Sequence, residues 1–136
     1  MTIRPYLSFP GYSGEVIAYY EKIFDVKAEI LNYDDLPEGE GSEMHEEMQG
    51  LVMHSDMEIA GSRVMISDDP YKKEVKDSNI SLGIFLDDQE KLREYYEKLS
   101  EGGEIIMPLE KTFWSELFGI VKDKYGTEWL FDYESE

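Results

Sequence analysis

Tyr95-Tyr96-Glu97-Lys98-Leu99 is the second use of a motif that the chain has already spelled once, 76 positions earlier, as Tyr19-Tyr20-Glu21-Lys22-Ile23. Each copy lies late in an amphipathic helical pattern. Each is followed by a short apolar stretch, Ala28-Glu29-Ile30 in one case and Gly103-Glu104-Ile105-Ile106 in the other. A second echo pairs Gly61-Ser62-Arg63-Val64-Met65-Ile66 with Gly126-Thr127-Glu128-Trp129-Leu130-Phe131 at an offset of 65. Two echoes in the same order predict one structural unit present twice. The smaller second offset places about 11 extra residues in the first half, between its helix and its last strand.

The segments around the echoes agree. Ile3 to Phe9 alternates as a strand, with Pro5 at a position that need not donate to the ladder. Ser13 is the expected N-cap of a helix running to about Phe24, whose Val16, Ile17, Tyr20, Ile23 and Phe24 share one face. Val26 to Leu31 reads as a strand. The residues from Tyr33 to about Glu47 turn acidic and Gly/Pro-rich, so an exposed loop is expected, mobile from Asp34 to Glu43. Leu51 to Ile59 and Val64 to Ser67 form a hairpin across Ala60-Gly61-Ser62. Asp68 to Asp77 reads as a linker. The second half repeats the order: a strand from Asn79 to Asp87, and a helix capped by Asp87 or Asp88 with Leu92, Tyr95, Tyr96 and Leu99 on one face. Gly102-Gly103 ends that helix, and strands follow at Glu104–Met107, Leu117–Asp123 and Thr127–Asp132. Lys124-Tyr125-Gly126 is the turn between the last two. The expected fold is α+β: two tandem βαβββ units, about 1–68 and 78–136, forming a cupped, mostly antiparallel eight-stranded sheet in a single domain.

At 136 residues, with 41% apolar and 13% aromatic residues, the chain can bury a real core. It has no cysteine, which excludes disulfides, thiolate metal sites and a Cys nucleophile. No apolar run reaches 18 residues and no secretory pattern opens the chain, so the cytoplasm is the default expectation. The net charge of −18 opposes nucleic acid and anionic membranes. The Asn79-Ile80-Ser81 sequon carries no meaning without export. No phosphate loop, nucleophile elbow or paired-His zinc motif is present.

With helices on one face, the other face must curl inwards or meet a partner, and the ligand site is expected there. The odd residues of the third strand face the helices, which leaves His54, Asp56 and Glu58 for the cup or solvent. His54 reads either as a cup-lining polar group or as a structural one. Phe113 and Trp114 read as an aromatic wall for a flat ligand, as core, or as dimer contacts. Tyr6 offers a phenol, and Glu116 an acid–base group beside the aromatic pair. Trp129, alternating with Phe131, reads as core. His45-Glu46-Glu47 reads as solvated loop.

Thr112-Phe113-Trp114, Phe118-Gly119, Asp123-Lys124-Tyr125-Gly126 and Trp129 resemble the C-terminal signature of the PhnB-like branch of the vicinal oxygen chelate superfamily. That superfamily includes glyoxalase I, extradiol dioxygenases and the fosfomycin- and bleomycin-resistance proteins. Pro5-Tyr6-Leu7, Tyr19 to Phe24, Met53-His54 and Ile59-Ala60-Gly61 resemble the same branch. The resemblance implies a duplicated βαβββ fold and, in metal-dependent members, a ligand on the first strand of each half and a Glu on the last strand. Those positions fall near Pro5, Asn79 and Leu130 here, none of them a His or carboxylate. No metal or other cofactor is therefore expected, unless a displaced site uses His54 and Glu58. Some relatives carry methyltransferase-like or DNA-binding labels; this sequence shows no Gly-rich cofactor loop and no basic surface. The leading expectation is a dimeric, metal-independent small-molecule binder. The alternative is a lyase or isomerase acting on a small oxygenated metabolite, through a displaced divalent-metal site or through acid–base residues alone.

Overall fold

The computed structural model describes residues 2–35, 48–71 and 74–135. Most of the expected mobile loop, with His45-Glu46-Glu47, lies outside the described residues. The chain divides into two compact units, Met1–Val75 and Lys76–Glu136.

The first unit runs β1 (Tyr6–Phe9), α1 (Ser13–Phe24), β2 (Glu29–Asn32), β3 (Val52–Ile59) and β4 (Ser62–Asp68). The second runs β5 (Leu82–Leu86), α2 (Gln89–Ser100), β6 (Glu104–Glu110), β7 (Phe118–Lys122) and β8 (Glu128–Tyr133). Hydrogen bonding groups the strands as two four-stranded sheets, ordered β1-β4-β3-β2 and β5-β8-β7-β6. Each has one parallel pair, β1 with β4 and β5 with β8, and otherwise antiparallel neighbours. The echoes in the sequence are thus two copies of one mixed α+β topology.

One face of each sheet is covered by its helix. In the first unit Val16, Ile17, Tyr20, Ile23 and Phe24 are buried together with Phe9, Val52, Met57, Ile59, Val64 and Ile66. In the second, Leu92, Tyr96 and Leu99 are buried with Ile84, Val121, Trp129 and Phe131. Fully burying each aliphatic side chain is worth about 1.5–3 kcal/mol, so these faces supply the main drive to fold. Trp129 is core, as its alternation with Phe131 indicated.

Several local expectations change. Tyr12, not Ser13, occupies the N-cap of α1 and makes no side-chain cap bond. Ser13 is already helical; its backbone N–H donates to Asp68 Oδ1 at 2.8 Å and its hydroxyl to the Ser67 carbonyl at 2.8 Å. A carboxylate from the end of β4 thus serves the helix N-terminus, where negative charge is favoured. The same Asp68 accepts the Val52 N–H through Oδ2 at 2.8 Å, fixing the start of β3. Asp88 resolves the second cap, accepting the Lys91 N–H at 3.1 Å.

The acidic loop opens on regular structure. Tyr33–Asp35 forms a short 3-10 turn. Its Asp35 accepts the Asn32 N–H at 2.9 Å, and its Asp34 accepts the Gly50 N–H at 2.8 Å. Strand β6 is longer than expected and contains Pro108; its pairing with β7 jumps between Met107 and Glu110, where the missing proline N–H would have left a gap. As an outer strand of its sheet, β6 tolerates this. At its start a side chain on Gly103 would collide with the Lys122 carbonyl, so only glycine lets the chain leave α2 against β7.

Candidate functional site

The register aligns one residue from each strand into a transverse row on the sheet face away from the helix. In the first unit the row is Tyr6, Met65, Asp56 and Glu29. Asp56 is its hub. Its Oδ2 lies 3.1 Å from His54 Nε2, two residues along β3 on the same face. Its Oδ1 lies 2.7 Å from Arg63 Nε. That oxygen is shut off from solvent and lacks an aligned hydrogen bond, so the Arg63 contact is an ion pair alone. A carboxylate only accepts, which places the hydrogen of a neutral His54 on Nε2 and leaves Nδ1 as the acceptor. The Tyr6 and His54 rings lie with centroids 6.0 Å apart. The sequence therefore brought Tyr6 and His54 to one face, and the register supplies the carboxylate that orients His54.

Beyond Asp56, toward the β3–β4 turn, the face sinks into a depression of about 390 Å³. Lys27, Glu29, Asp56, Glu58 and Arg63 supply its charged lining, and Gly61 of the turn lies at its end. Pockets for small molecules begin near this size, at about 300 Å³. Lys27, Glu29 and Arg63 were not singled out in the sequence. A signal for Arg63 existed: a two-residue turn at Ala60-Gly61 pairs it with Glu58 and puts it on the face of Asp56.

The second unit presents a different surface. Its row, in the same register, is Gly83, Leu130, Ile120 and Met107. Phe85 leans over Gly83, where an added methyl would meet its ring at 2.6 Å. Phe113 and Trp114 form the tip of the β6–β7 connection, 97% and 52% exposed, which removes core as their role. Their rings meet edge to face at 4.8 Å, and Trp114 continues onto Phe118 at 5.3 Å. The tip is held open by its base. The Thr112 N–H donates to the Ser115 carbonyl at 2.9 Å, and the Ser115 N–H to Thr112 Oγ1 at 3.1 Å. Ser115 Oγ then donates to Asp132 Oδ1 at 2.5 Å. Glu116 turns toward α2, accepting from Gln89 Nε2 at 3.4 Å.

Of the positions where the resemblance would place metal ligands, near Pro5, Asn79 and Leu130, none carries a His or a carboxylate. Leu130 has no donor atom, and its row neighbours Gly83, Ile120 and Met107 offer no nitrogen or carboxylate. The Pro5 carbonyl is committed to the Met65 N–H at 3.0 Å. Among the described residues no three His, Cys, Asp or Glu side chains are grouped to hold an ion. Three protein ligands are what a divalent Lewis acid needs.

Two tandem βαβββ units, each with a helix-covered face and an open one, make the vicinal oxygen chelate fold. The fosfomycin resistance protein FosX from Listeria monocytogenes shares it at a TM-score of 0.65 and 12% identity, covering 99% of this chain and 93% of the other. Within this fold, the family model for 3-demethylubiquinone-9 3-methyltransferase matches residues 1–131, and the chain belongs to that PhnB-like family. It is 30% identical over 139 residues to protein YjdN of Escherichia coli K12, spanning 96% of this chain and 93% of that one. Protein PA1353 from Pseudomonas aeruginosa superposes with a TM-score of 0.84 at 27% identity, covering 100% of this chain and 99% of the other. A Bacillus cereus structure, described as a putative 3-demethylubiquinone-9 3-methyltransferase, PhnB protein, gives 0.75 at 27% identity, covering 98% and 100%. A family's fold does not fix the chemistry of each member. Among the described residues no helix is long and apolar enough to cross a membrane.

Proposed function

We propose that this PhnB-like chain binds a small molecule on the open face of its first unit, without a metal, its two units working as one glyoxalase/bleomycin-resistance-like domain. The observation that carries the reading is the Asp56 hub. One carboxylate orients His54 beside Tyr6 on one side, pins Arg63 on the other, and stands at the edge of the depression. Oriented polar groups beside a concavity are the ordinary equipment of a small-molecule site. Tyr6 supplies an aromatic edge and His54 Nδ1 an acceptor. Phe113 and Trp114, exposed on a braced turn of the second unit, offer stacking surface to a flat ligand or to a second copy of the chain; Glu116, drawn to Gln89, is a weaker contributor.

The test is amide chemical-shift mapping after extensive dialysis against a chelator, with nicotinamide and indole as neutral planar probes. Shifts clustered on Tyr6, His54 and Asp56, abolished in His54→Ala, support the reading. Shifts that need added zinc or manganese, or that cluster elsewhere, overturn it. A homodimer belongs to the same proposal, since Phe85, Phe113 and Trp114 expose aromatic area that soluble monomers seldom leave uncovered. Light scattering should give the mass of two chains at micromolar concentration, and the mass of one chain across all concentrations would refute it.

A lyase or isomerase acting through acid–base residues alone is the second reading. The His54–Asp56 pair is the one observation that favours it, because a carboxylate-oriented imidazole is a common general base. Proton exchange at a carbon acid, lost in His54→Gln and weakened in Asp56→Asn, would mark that activity.

A further inference from the structure

We infer that the depression beside Asp56 takes a small zwitterion of net positive charge: an α-amino acid with a cationic side chain. The inference rests on the reading that this face binds a small molecule, and it names the class of ligand.

The argument is one of charge and spacing. Five charged side chains line the depression, two cationic and three anionic. Arg63 and Asp56 satisfy one another at 2.7 Å. Lys27, Glu29 and Glu58 have no ion-pair partner within 4 Å among the described residues. One free ammonium and two free carboxylates remain, inside a single concavity. The complement is a molecule with two cationic groups and one carboxylate.

The sheet also sets the spacing of the backbone positions that carry the two carboxylates. Glu29 stands directly across from Asp56 on the neighbouring strand, and Glu58 lies two residues beyond Asp56 on β3. Glu29 and Glu58 are therefore diagonal neighbours, whose backbone positions lie about 7–8 Å apart. An extended lysine separates its two ammonium groups by a comparable span. Lys27 lies two residues before β2 and lines the same depression, so it is the group left to meet the ligand carboxylate. Simple anions meet two carboxylates, a monoamine uses only one of them, and a diamine leaves Lys27 facing a cation.

The intact chain is titrated at low ionic strength with L-lysine, with cadaverine, which lacks the carboxylate, and with 6-aminohexanoate, which lacks the α-ammonium group. L-Lysine should shift the amides of Glu29 and of residues 56–63 and bind about three- to fivefold more tightly than either analogue, the scale of one exposed charge contact. Lys27→Gln should bring L-lysine down to the level of cadaverine without weakening cadaverine. Glu58→Gln should weaken both. These side chains are exposed, so the variants keep the fold, which their amide spectra verify. Cadaverine binding as tightly as L-lysine, or shifts lying elsewhere, overturns the inference. If all three charged probes fail while nicotinamide still shifts Tyr6 and His54, the ligand class falls and the binding reading stands. If none of the probes moves this face, both fall.

Discussion

The two units share a topology and a register but not a chemistry. Where the first sets Tyr6, Met65, Asp56 and Glu29 across its open face, the second sets Gly83, Leu130, Ile120 and Met107. The helix-covered faces did not diverge in this way: Val64 and Ile66 of β4 answer Trp129 and Phe131 of β8, all buried. Packing against a helix tolerates apolar side chains and those polar ones that find a partner, because a buried polar group without one costs about 1–3 kcal/mol. The open face carries no such demand. Duplication therefore left one scaffold with two surfaces free to differ, one with a carboxylate at the centre of its row, the other with an apolar centre flanked by Lys122, Glu128 and Asp132.

Anchoring carboxylates differ too, and their removal is the largest effect expected. The first unit buries Asp68, which accepts from Ser13 and Val52. The second buries Asp123, which accepts the Trp129 indole N–H at 2.9 Å and the Tyr125 and Thr127 N–H groups at 2.9 and 3.1 Å. Asp123→Ala and Asp68→Ala each strand two or more buried donors, so each should cost about 3 kcal/mol in urea denaturation. A loss well below 1 kcal/mol in either would mean that water replaces the carboxylate.

Exchanging the chemistry of the rows comes next. Ile120→Asp places a carboxylate between Leu130 and Met107 with no cation in its row, and should destabilise by about 2 kcal/mol. Asp56→Asn, at the matching point of the first unit, should cost under about 1 kcal/mol, since the Arg63 pair it breaks is half-exposed on the arginine side. Equal costs would show that the polar row is a structural device rather than a surface free for binding.

The repeated Tyr-Tyr-Glu-Lys motif made the duplicated fold legible, because helical periodicity and repeat offsets are local properties of the chain. Even there the first copy does more than helix packing, since Glu21 accepts the Ala28 N–H at 2.9 Å and steers the chain into β2. The site was half legible. Alternation on β3 put His54, Asp56 and Glu58 on one face, but choosing Asp56 as the hub required the registers with β2 and β4. Those depend on residues far apart in sequence. Asp68 as the partner of Ser13, 55 residues away, has the same character. Phe113 and Trp114 were legible as a pair but not as a solvent-facing tip, because the hydroxyl of Ser115 and the carboxylate of Asp132 that brace it do not announce themselves by pattern.

Alkaline pH tests the tyrosine of the second repeat, Tyr96. Tyr20 and Tyr96 occupy the same point of the motif and both are buried. Burial pushes the Tyr96 phenol above its ordinary value of 10.0, while the Leu109 backbone amide works in the other direction. The folded state thus holds this proton more tightly than the unfolded state. The resulting stability is fully present below about pH 10 and is lost as pH rises through the folded value. Tyr96→Phe should cost about 1 kcal/mol at neutral pH through loss of the hydrogen bond to the Met107 carbonyl. Its melting temperature should then fall less steeply than that of the wild type between pH 9.5 and pH 11.5, about the range of a tyrosine titration. Parallel curves would assign the alkaline loss to other groups.

The smallest effect expected lies in the hairpin turns, where the units again solve one problem in two ways. The β3–β4 turn has two residues, Ala60 at φ 49° and Gly61 at φ 84°, between the paired Ile59 and Ser62. Two positive φ values are what a tight turn matched to strand twist requires. Alanine meets that requirement at a cost of about 1 kcal/mol from its Cβ. The β7–β8 turn is longer and reserves its positive φ of 93° for Gly126, whose N–H donates to the Asp123 carbonyl at 2.9 Å. Ala60→Gly removes the strain but adds about 0.5 kcal/mol of chain entropy in the unfolded state, so a net stabilisation of about 0.5 kcal/mol is expected. Gly126→Ala should do the reverse, costing about 1 kcal/mol. Thermal melts of the two variants test both signs together. Destabilisation by Ala60→Gly would mean that the Ala60 methyl packs usefully at the end of the depression, and the first turn would then be part of the site rather than a strained link beside it.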